Sequence, residues 1–455
     1  MNERPGKEIL APWERAFDRL LTPLEEFIHR QTTSGVLLML CALAALAIAN
    51  SPLAEGYAHV LHTELVVGLG EWKLAMSLHH WINDGLMALF FLVVGLELKR
   101  ELLVGELAHP RQALLPILAA VGGMVLPALF YLLLNHEGSA MAGWGIPMAT
   151  DIAFALGVLA LLGSRVPPAL LTLLVALAIV DDLGAVVVIA LFYTAELNLV
   201  ALGAAGGILL LLLALNRAGV RRLLPYMLLG VLLWLAMLGS GVHATLAGVL
   251  LAFTIPMRPR LDTPRFLHRS EGLLAEIRQA HEEEPNIILN DRMRSRFTSL
   301  AEGVLLAQAP AQRLEHNLHL TAAYLVIPIF ALANAGIPVD LGALGEILGN
   351  PVALGVVLGL VGGKLLGIVG FVWLAVRLGV SQLPSGVGFR HILGMGLLGG
   401  IGFTMSIFIA ELAFAGELQN LLMAKTGILL ASALAGIIGI TWLLICTQPK
   451  GKGTG

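Results

Sequence analysis

The chain has 455 residues, of which 57% are hydrophobic and only 13% are charged, and its mean hydropathy is +0.85. These values exclude a soluble globular protein and indicate a polytopic membrane protein embedded in a lipid bilayer. The two cysteines, both in apolar segments, indicate neither a disulfide framework nor a metal site, and the net charge of −3 says little by itself. We expect no nucleic-acid partner. The function therefore has to be inferred from the few polar groups inside the apolar segments.

The N-terminal residues 1–31 combine basic residues with apolar side chains at helical spacing. This pattern predicts a cytoplasmic surface helix over 12–30 that lies on the membrane and bends near Pro23. The alternative is a disordered tail. No compact apolar core with a cleavage site, as in a secretory signal, is apparent in this stretch.

Twelve apolar stretches are long enough to cross about 30 Å of hydrocarbon, although the eighth is short. They lie at 33–51, 80–98, 112–135, 143–162, 168–194, 197–215, 222–240, 242–257, 317–337, 351–376, 391–414 and 423–446. All but three of the 28 Lys and Arg residues fall at the termini or in alternate loops, the exceptions being Lys73, Lys364 and Lys425. Because positive residues favour the cytoplasm, we expect both termini there, including the tail at 447–455.

The early loop at 57–75 lies on the outer side in this topology, and its sequence is typical of a β-hairpin. An irregular loop is the alternative. An exposed strand edge would favour pairing with a second copy of the chain.

A charged segment at 258–312 separates two membrane parts, 32–257 and 313–446. Long insertions without structure of their own are uncommon. We therefore predict a cytoplasmic insertion with two short helices, at 265–283 and 291–308.

Three carboxylates and a lysine lie near the middle of apolar stretches. They are Asp151 in the fourth stretch, Asp181 and Asp182 in the fifth, and Lys364 in the tenth. A charged side chain at the bilayer centre costs at least ~2.5 kcal/mol, so such residues are functional candidates by default. A common depth suits a transport site, which each side of the membrane must reach in turn.

Carboxylate oxygens are the ligands that a hard cation such as Na⁺ prefers, and the same oxygens bind protons. Competition between a cation and protons for one site is sufficient for exchange. Asp181 and Asp182 point ~100° apart on a helix, so we expect one to face Asp151 and the other to meet a cation such as Lys364. The alternative is that these groups are inert, paired side chains.

Two of the apolar stretches contain residues that favour a break in the helix. Pro147 lies in the fourth stretch, and Gly399, Gly400 and Gly402 lie in the eleventh. Broken helices place partial charges at the membrane centre, which Asp151 and Lys364 would offset. Close packing of unbroken helices through glycine is the alternative.

Several sequence motifs along the chain resemble those of a known family. The motifs that carry the resemblance are Ile82-Asn-Asp84-Gly85, Gly95-Leu-Glu97-Leu-Lys-Arg100-Glu101, Ala149-Thr150-Asp151-Ile-Ala-Phe-Ala-Leu-Gly157, Asp181-Asp182-Leu-Gly184, Ser240-Gly-Val-His243-Ala-Thr-Leu-Ala-Gly248, Ala333-Asn334-Ala-Gly336 and Gly400-Ile-Gly402-Phe-Thr-Met-Ser-Ile407. Together they resemble the NhaA family of bacterial sodium/proton antiporters, in order, over about residues 32–443 apart from the insertion.

The resemblance implies an all-α polytopic membrane protein with twelve transmembrane helices. It further implies an inverted repeat of spans three to five and ten to twelve, with the broken spans four and eleven crossing. The implied activity is pH-regulated, electrogenic exchange of Na⁺ or Li⁺ for protons across the bacterial inner membrane. It implies no cofactor and no enzymatic catalysis, and a homodimer formed through the outer hairpin.

The resemblance also implies roles for individual residues. Asp182 would be the main Na⁺ ligand beside Asp181, with Thr150 and Asp151 joining them, and Lys364 would pair with Asp181. The residues implied in pH control are Glu97, Arg100, Glu101, Glu315 and His243. The insertion at 258–312 is longer than this connection usually is in the family. His243 has a simpler alternative, which is to bond a backbone carbonyl.

Three other functions compete with antiport. A sodium-coupled solute symporter would need a roomier polar site than the small acidic centre. An intramembrane aspartyl protease pairs a Tyr-Asp with a Gly-x-Gly-Asp, whereas Thr150 and Val180 precede the acids here. A channel would need a filter sequence, and none is visible.

Overall fold

The computed structural model describes residues 31–69, 72–194, 197–286, 288–338, 345 and 349–447. The surface helix expected at 12–30 and the tail beyond residue 447 lie outside the described residues. The described part is mainly helical. In chain order its helices are α1 (Gln31–Ala49), α2 (Ala54–His62), α3 (Leu78–Val104), α4 (Pro110–Leu134), α5 (Ile152–Leu161), α6 (Pro168–Phe192), α7 (Leu199–Arg217), α8 (Leu223–Leu238), α9 (Leu246–Thr254), α10 (Thr263–Glu283), α11 (Asp291–Ala307), α12 (Pro310–Asn334), α13 (Pro351–Arg377), α14 (Phe389–Gly399), α15 (Phe403–Ala413) and α16 (Leu418–Cys446).

Within the described residues, seven helices are long and apolar enough to cross a membrane, or up to ten if each bent pair counts as one span. The chain is therefore an all-α polytopic membrane protein. The stretches predicted at 222–240 and 242–257 correspond to α8 and α9, which have only 16 and nine residues. They are short because the chain turns between them at Gly241, whose φ of +83° lies in the left-handed region that favours glycine.

The early loop contains a two-stranded antiparallel hairpin, formed by β1 (Glu64–Leu69) and β2 (Trp72–Ser77). Its register runs from the pair Glu64 and Ser77 to the pair Leu69 and Trp72. The hairpin therefore lies where it was expected within 57–75, with β2 ending two residues further on, while residues 54–62 before it form α2. The side chains of Leu65, Val66 and Val67 on β1 are exposed.

The charged insertion forms a helical hairpin of α10 and α11. The two helices have 21 and 17 residues and nearly coincide with the stretches 265–283 and 291–308 expected from the sequence. They pack on each other through Ile277, Ala280 and Met293. The ends of the hairpin are adjacent, because the Leu261 backbone N–H donates to the Leu306 carbonyl at 2.9 Å.

The α4–α13 crossing is close because glycines line it. A Cβ added at Gly367 would collide with the Gly122 carbonyl, and a Cβ added at Gly363 would meet the backbone of Pro127. Small residues at helix contacts let membrane helices approach closely. This crossing positions Lys364, the first residue after Gly363, in the protein interior.

Among the described residues three helix pairs are bent at a short break, and one of them, α1 with α2, bends by 112°. The other two pairs are broken membrane segments. The first is a 3₁₀ segment, Ser139–Met148, followed by α5 at a bend of 41°, and the second is α14 followed by α15 at a bend of 44°. The first break falls after Met148 and not at Pro147, because the 3₁₀ segment accommodates the proline within it. The second break falls at 400–402, as the glycines there indicated.

Candidate functional site

The two breaks lie against each other. The Asp151 backbone N–H donates to the Ile401 carbonyl at 2.7 Å, and the Ser406 hydroxyl donates to the Ile146 carbonyl at 2.8 Å. Gly402 allows this approach, since an added Cβ would lie 3.0 Å from the Ala149 carbonyl. Backbone groups that the breaks free are thus satisfied across the contact rather than by lipid.

Asp151 lies at the N-termini of two half-helices. Its Oδ1 accepts from the Phe154 backbone N–H of α5 at 2.9 Å. Its Oδ2 accepts from the Thr404 backbone N–H of α15 at 3.1 Å and from the Thr404 hydroxyl at 2.5 Å. Helix N-termini carry partial positive charge, which a carboxylate offsets. The Asp151 carboxylate therefore links α5 and α15 by hydrogen bonds and by its interaction with their N-terminal dipoles.

Asp181, on α6, is paired with a lysine from another helix. Lys364 Nζ donates to Asp181 Oδ2, and the Thr150 hydroxyl lies 2.6 Å from the same oxygen. Thr150 also lies 3.0 Å from the Gly399 carbonyl, and its single proton can serve only one of these acceptors at a time. Both charged side chains are fully buried. Of the described residues, Lys364 donates to Asp181 rather than to the carbonyls of the helix breaks.

Asp182 differs from its neighbour. It is 1% exposed, and neither carboxylate oxygen has a hydrogen-bond partner among the described residues. It points away from Lys364, because adjacent helical residues diverge by ~100°. Buried carboxylates without partners are costly and need an explanation.

Asp182 faces a cavity of about 120 Å³ between α3, α5 and α12. Asp151 and Thr404 line its inner part, and Glu97 and His319 line it as well. A water molecule's share of liquid volume is about 30 Å³, so the cavity is large enough for a small cation with a few waters. The His319 side chain is 54% exposed, so the cavity leads toward the surface on that side.

The groups implied in pH control form an ion-pair cluster at the same end of α3. Arg100 lies 2.9 Å from Glu315 of α12 and 2.9 Å from Glu101. Glu97, one turn before, lies 3.2 Å from His319 Nδ1. The structure thus brings four of the five residues together and links them to the cavity through Glu97.

His243 lies elsewhere. Its Nδ1 is 2.8 Å from the Thr245 hydroxyl and its Nε2 is 3.5 Å from Asp84. Asp84 precedes Glu97 by thirteen residues on α3, a distance of ~20 Å along the helix. The alternative that His243 bonds a backbone carbonyl is wrong for the described residues, where its partners are the Thr245 hydroxyl and backbone N–H and the Asp84 carboxylate.

Some polar groups of the site were not singled out from the sequence. Thr404 lies within the Gly-Phe-Thr motif, but only the crossing of the breaks shows that it bonds Asp151. Lys99 is buried and donates to three carbonyls at the end of α9, those of Ala252, Phe253 and Ile255, at 3.3, 2.8 and 2.5 Å. Its position beside Arg100 in the sequence gave no signal of that role.

Buried acids and a lysine at the junction of bent, lipid-soluble segments define the class of small-ion membrane transporters. The family model described as Na⁺/H⁺ antiporter 1 matches residues 25–443, and the chain belongs to this family. This confirms the resemblance that the motifs indicated.

Curated relatives match over nearly their whole length. The Na⁺/H⁺ antiporter NhaA 1 of Saccharophagus degradans is 53% identical over 448 residues, which cover 97% of each chain. The NhaA antiporter of Sulfurimonas denitrificans is 50% identical over 436 residues, covering 96% of this chain and 98% of its own. That of Helicobacter pylori is 46% identical over 427 residues, covering 94% and 96% respectively. These names are those of transporters and give no support to the symporter alternative.

Proposed function

We propose that this protein is an electrogenic antiporter of the bacterial inner membrane that exchanges intracellular Na⁺ or Li⁺ for external protons. Such exchange would serve sodium and pH homeostasis, and the exchanged ions are substrates rather than cofactors. The observation that carries the proposal is Asp182, a buried carboxylate that faces a cavity and has no hydrogen-bond partner among the described residues. A transported cation or a proton is the partner that such a group lacks.

The proposed ion site consists of Asp182 and Asp181, with Thr150 and Asp151 beside them. Ionised carboxylates supply the hard oxygen ligands that Na⁺ requires, and removal from water favours their neutral form when no cation is bound. Sodium and protons therefore compete for the same oxygens. Exchange follows if the site turns between the two sides only when one of them is bound.

Lys364 is the proposed counter-charge. In one scheme both central aspartates carry protons, and both lose them when the cation binds. In the other, Asp181 stays ionised against Lys364, and the lysine carries one of the protons when the pair opens. Either scheme moves two protons for one monovalent cation, so net charge crosses the membrane.

Control by pH is proposed for the cluster at the end of α3. Arg100 lies between Glu101 and Glu315, and Glu97 joins the cluster to the cavity. A change of protonation there would alter the contacts between α3 and α12, which form two walls of the cavity. His243 would contribute from the other end of α3, through Asp84.

The proposed topology has twelve spans with both termini in the cytoplasm, so that the ends of α3 and α12 that carry Arg100 and Glu315 face the cytoplasm. The shorter α8 and α9 would be the seventh and eighth spans. The two broken segments that meet at the site, Ser139–Met148 with α5 and α14 with α15, would be the fourth and eleventh spans. They would belong to an inverted repeat of spans three to five and ten to twelve. We propose that the chain divides into an N-terminal segment at 1–31, membrane segments at 32–257 and 313–446, the insertion at 258–312 and a tail at 447–455.

A homodimer through the outer hairpin is also proposed. The hairpin of β1 and β2 has only two strands, so its outer edges offer unpaired backbone groups. The exposed Leu65, Val66 and Val67 of β1 would be covered in such a pair. A monomeric protein in mild detergent, at concentrations where the transport assay is run, would contradict this proposal.

The experiment that tests the function uses purified protein in vesicles. An outward Na⁺ gradient should drive protons inward, and the rate should depend on pH. Proton movement that ignores the Na⁺ gradient would overturn the proposal. Coupled uptake of an organic solute with sodium would instead favour the symporter.

A further inference from the structure

A second polar cluster lies at the end of α3 opposite Glu97 and Arg100. Glu411 of α15 pairs with Lys425 of α16, with Nζ 2.5 Å from Oε1. His79, at the start of α3, has its Nε2 3.7 Å from the same Glu411 oxygen and 3.0 Å from Asn334 Oδ1 of α12. Asn334 in turn donates to Asn83 Oδ1 at 2.8 Å. We call these five residues the outer cluster.

The outer cluster joins the helices that form the ion site. Thr404, which bonds Asp151, and Glu411 both lie on α15, two turns apart and on one face, at a distance of ~10 Å along the axis. Between them on that face, Phe408 is fully buried and its ring packs against those of Phe91 and Phe330. The far ends of α3 and α12 carry the groups at the cavity. Glu411 thus lies on the same face of α15 as Thr404, beyond an aromatic layer that separates it from the ion site.

Glu411 lies among titratable side chains that differ in their access to water. The Glu411 and Lys425 side chains are only 15% and 10% exposed, whereas His79 is 26% exposed and so has access to water. Lys425 and His79 are the described titratable side chains in contact with Glu411, and His62 of α2 acts electrostatically on His79. The 3₁₀ segment Ser139–Met148, which also packs on α15, contains no titratable side chain.

We propose that Glu411 is the proton-accepting group at the outer mouth of the transport route, with His79 and Asn334 as positioning residues. In this step one proton leaves external water and forms an O–H bond with the Glu411 carboxylate. The neutral acid no longer holds Lys425 in an ion pair, so the link between α15 and α16 loosens. When that proton passes to a water molecule on the side of the ion site, the carboxylate and the ion pair are restored.

This proposal deepens the proposed function, since it rests on antiport and on the orientation given above. It predicts sided effects on the rate. With the protein oriented one way in vesicles, Glu411→Gln should lower Na⁺-driven proton uptake roughly tenfold or more, as loss of a positioned proton-transfer group does. Uptake should also lose its dependence on external pH. The internal Na⁺ concentration for half-maximal rate should stay unchanged, because Asp182 is intact.

Two further variants separate proton transfer from structure. Glu411→Asp keeps a carboxylate and should recover the dependence on external pH. Lys425→Gln removes a nearby positive charge, which favours the neutral acid, so the external-pH profile should move to more alkaline values. Loss of packing alone would change the amount of folded protein without moving that profile.

Glu417 provides the matched control. It lies six residues further along, its partner is Asn420 at 2.6 Å, and it has no place in the ion site. Glu417→Gln should keep both the rate and the external-pH profile of the unaltered protein. A Glu411→Gln protein that keeps the external-pH profile, or that changes only the response to internal pH, would overturn the inference. Absence of Na⁺-driven proton flux in the unaltered protein would instead overturn the proposed function.

Discussion

Asp182 is a carboxylate removed from water without a hydrogen-bond donor among the described residues. Asp151 and Asp181 are equally buried, but each accepts hydrogen bonds that stabilise a charge. The three acids therefore differ in the work they can do. Asp151 and Asp181 have partners in the protein, whereas Asp182 lacks one among the described residues, as expected of the main ligand in the proposed ion site.

The first prediction follows from that difference. Asp182→Asn should abolish exchange and leave the thermal unfolding temperature nearly unchanged, because it removes a charge without removing a contact or altering the volume. Na⁺-driven proton flux in vesicles measures the first effect, and a thermal melt in detergent measures the second. Glu137→Gln, at an exposed acid, is the control, and it should leave both the exchange and the unfolding temperature unchanged. Near-normal flux in Asp182→Asn would remove Asp182 from the mechanism.

The second prediction concerns the pair of Lys364 and Asp181. Removing one partner of a buried pair leaves an uncompensated charge and costs ~3–5 kcal/mol. Lys364→Ala should therefore lower stability by about that amount and shift the pH profile of exchange, while Lys73→Ala on the exposed hairpin should not. Adding Asp181→Asn to Lys364→Ala should restore part of the loss in a thermal melt. If the two losses are simply additive, the pair does not couple in the folded protein.

For individual residues, the sequence was a good guide to the candidates for the ion site and a poor guide to the contacts that these residues make. Charges in apolar stretches are expensive, so Asp151, Asp181, Asp182 and Lys364 stand out from the sequence alone. Their partners depend on how helices cross. The bond from Thr404 to Asp151 exists only because two breaks meet, and no local pattern encodes that meeting.

Among the elements, the crossing of α4 and α13 is the contact that holds Lys364 in place. Gly367→Ala should destabilise the protein by ~1–3 kcal/mol, because the new methyl group would collide with the Gly122 backbone. Gly370→Ala lies on the same helix, where an added Cβ meets nothing within 4 Å, and it should be neutral. Equal unfolding temperatures for the two variants would show that the helices do not cross this closely.

The insertion is an element with its own packing. Because Leu261 and Leu306 are hydrogen-bonded, a short Gly/Ser bridge can replace residues 265–306 without separating the ends. We expect this deletion to keep exchange but to alter its response to pH, since α12 with Glu315 follows directly. Vesicle flux across a pH range is the measurement. A well-folded deletion that transports nothing would place the insertion in the transport mechanism itself.

Element boundaries show where sequence patterns stop. Apolar runs located the membrane segments, but they missed that α3 extends to Val104 and that α12 begins at Pro310, since charged ends do not interrupt a helix. Pro147 indicated a break a few residues too early, because a proline fits within a 3₁₀ segment. The hairpin, in contrast, lies close to the 57–75 that the loop pattern indicated, although α2 occupies the first residues of that loop.

For the whole molecule, the central consequence of the site is net charge movement. Two protons for one monovalent cation transfer one net charge, which the membrane potential favours or opposes by ~2.3 kcal/mol per 100 mV. Exchange should therefore speed up or slow down when vesicles are clamped at different potentials with equal ion gradients. Rates that do not respond to voltage would indicate one-for-one exchange.

The most direct measurement is the point of zero net flux. In vesicles with a fixed Na⁺ gradient and a clamped potential, the proton gradient is varied until net Na⁺ movement stops. We expect this point to balance two protons against one sodium ion, and therefore to move when the clamped potential is changed. A zero-flux point that does not move with voltage would contradict both coupling schemes. Net Na⁺ movement that does not respond to the proton gradient at all would contradict antiport itself.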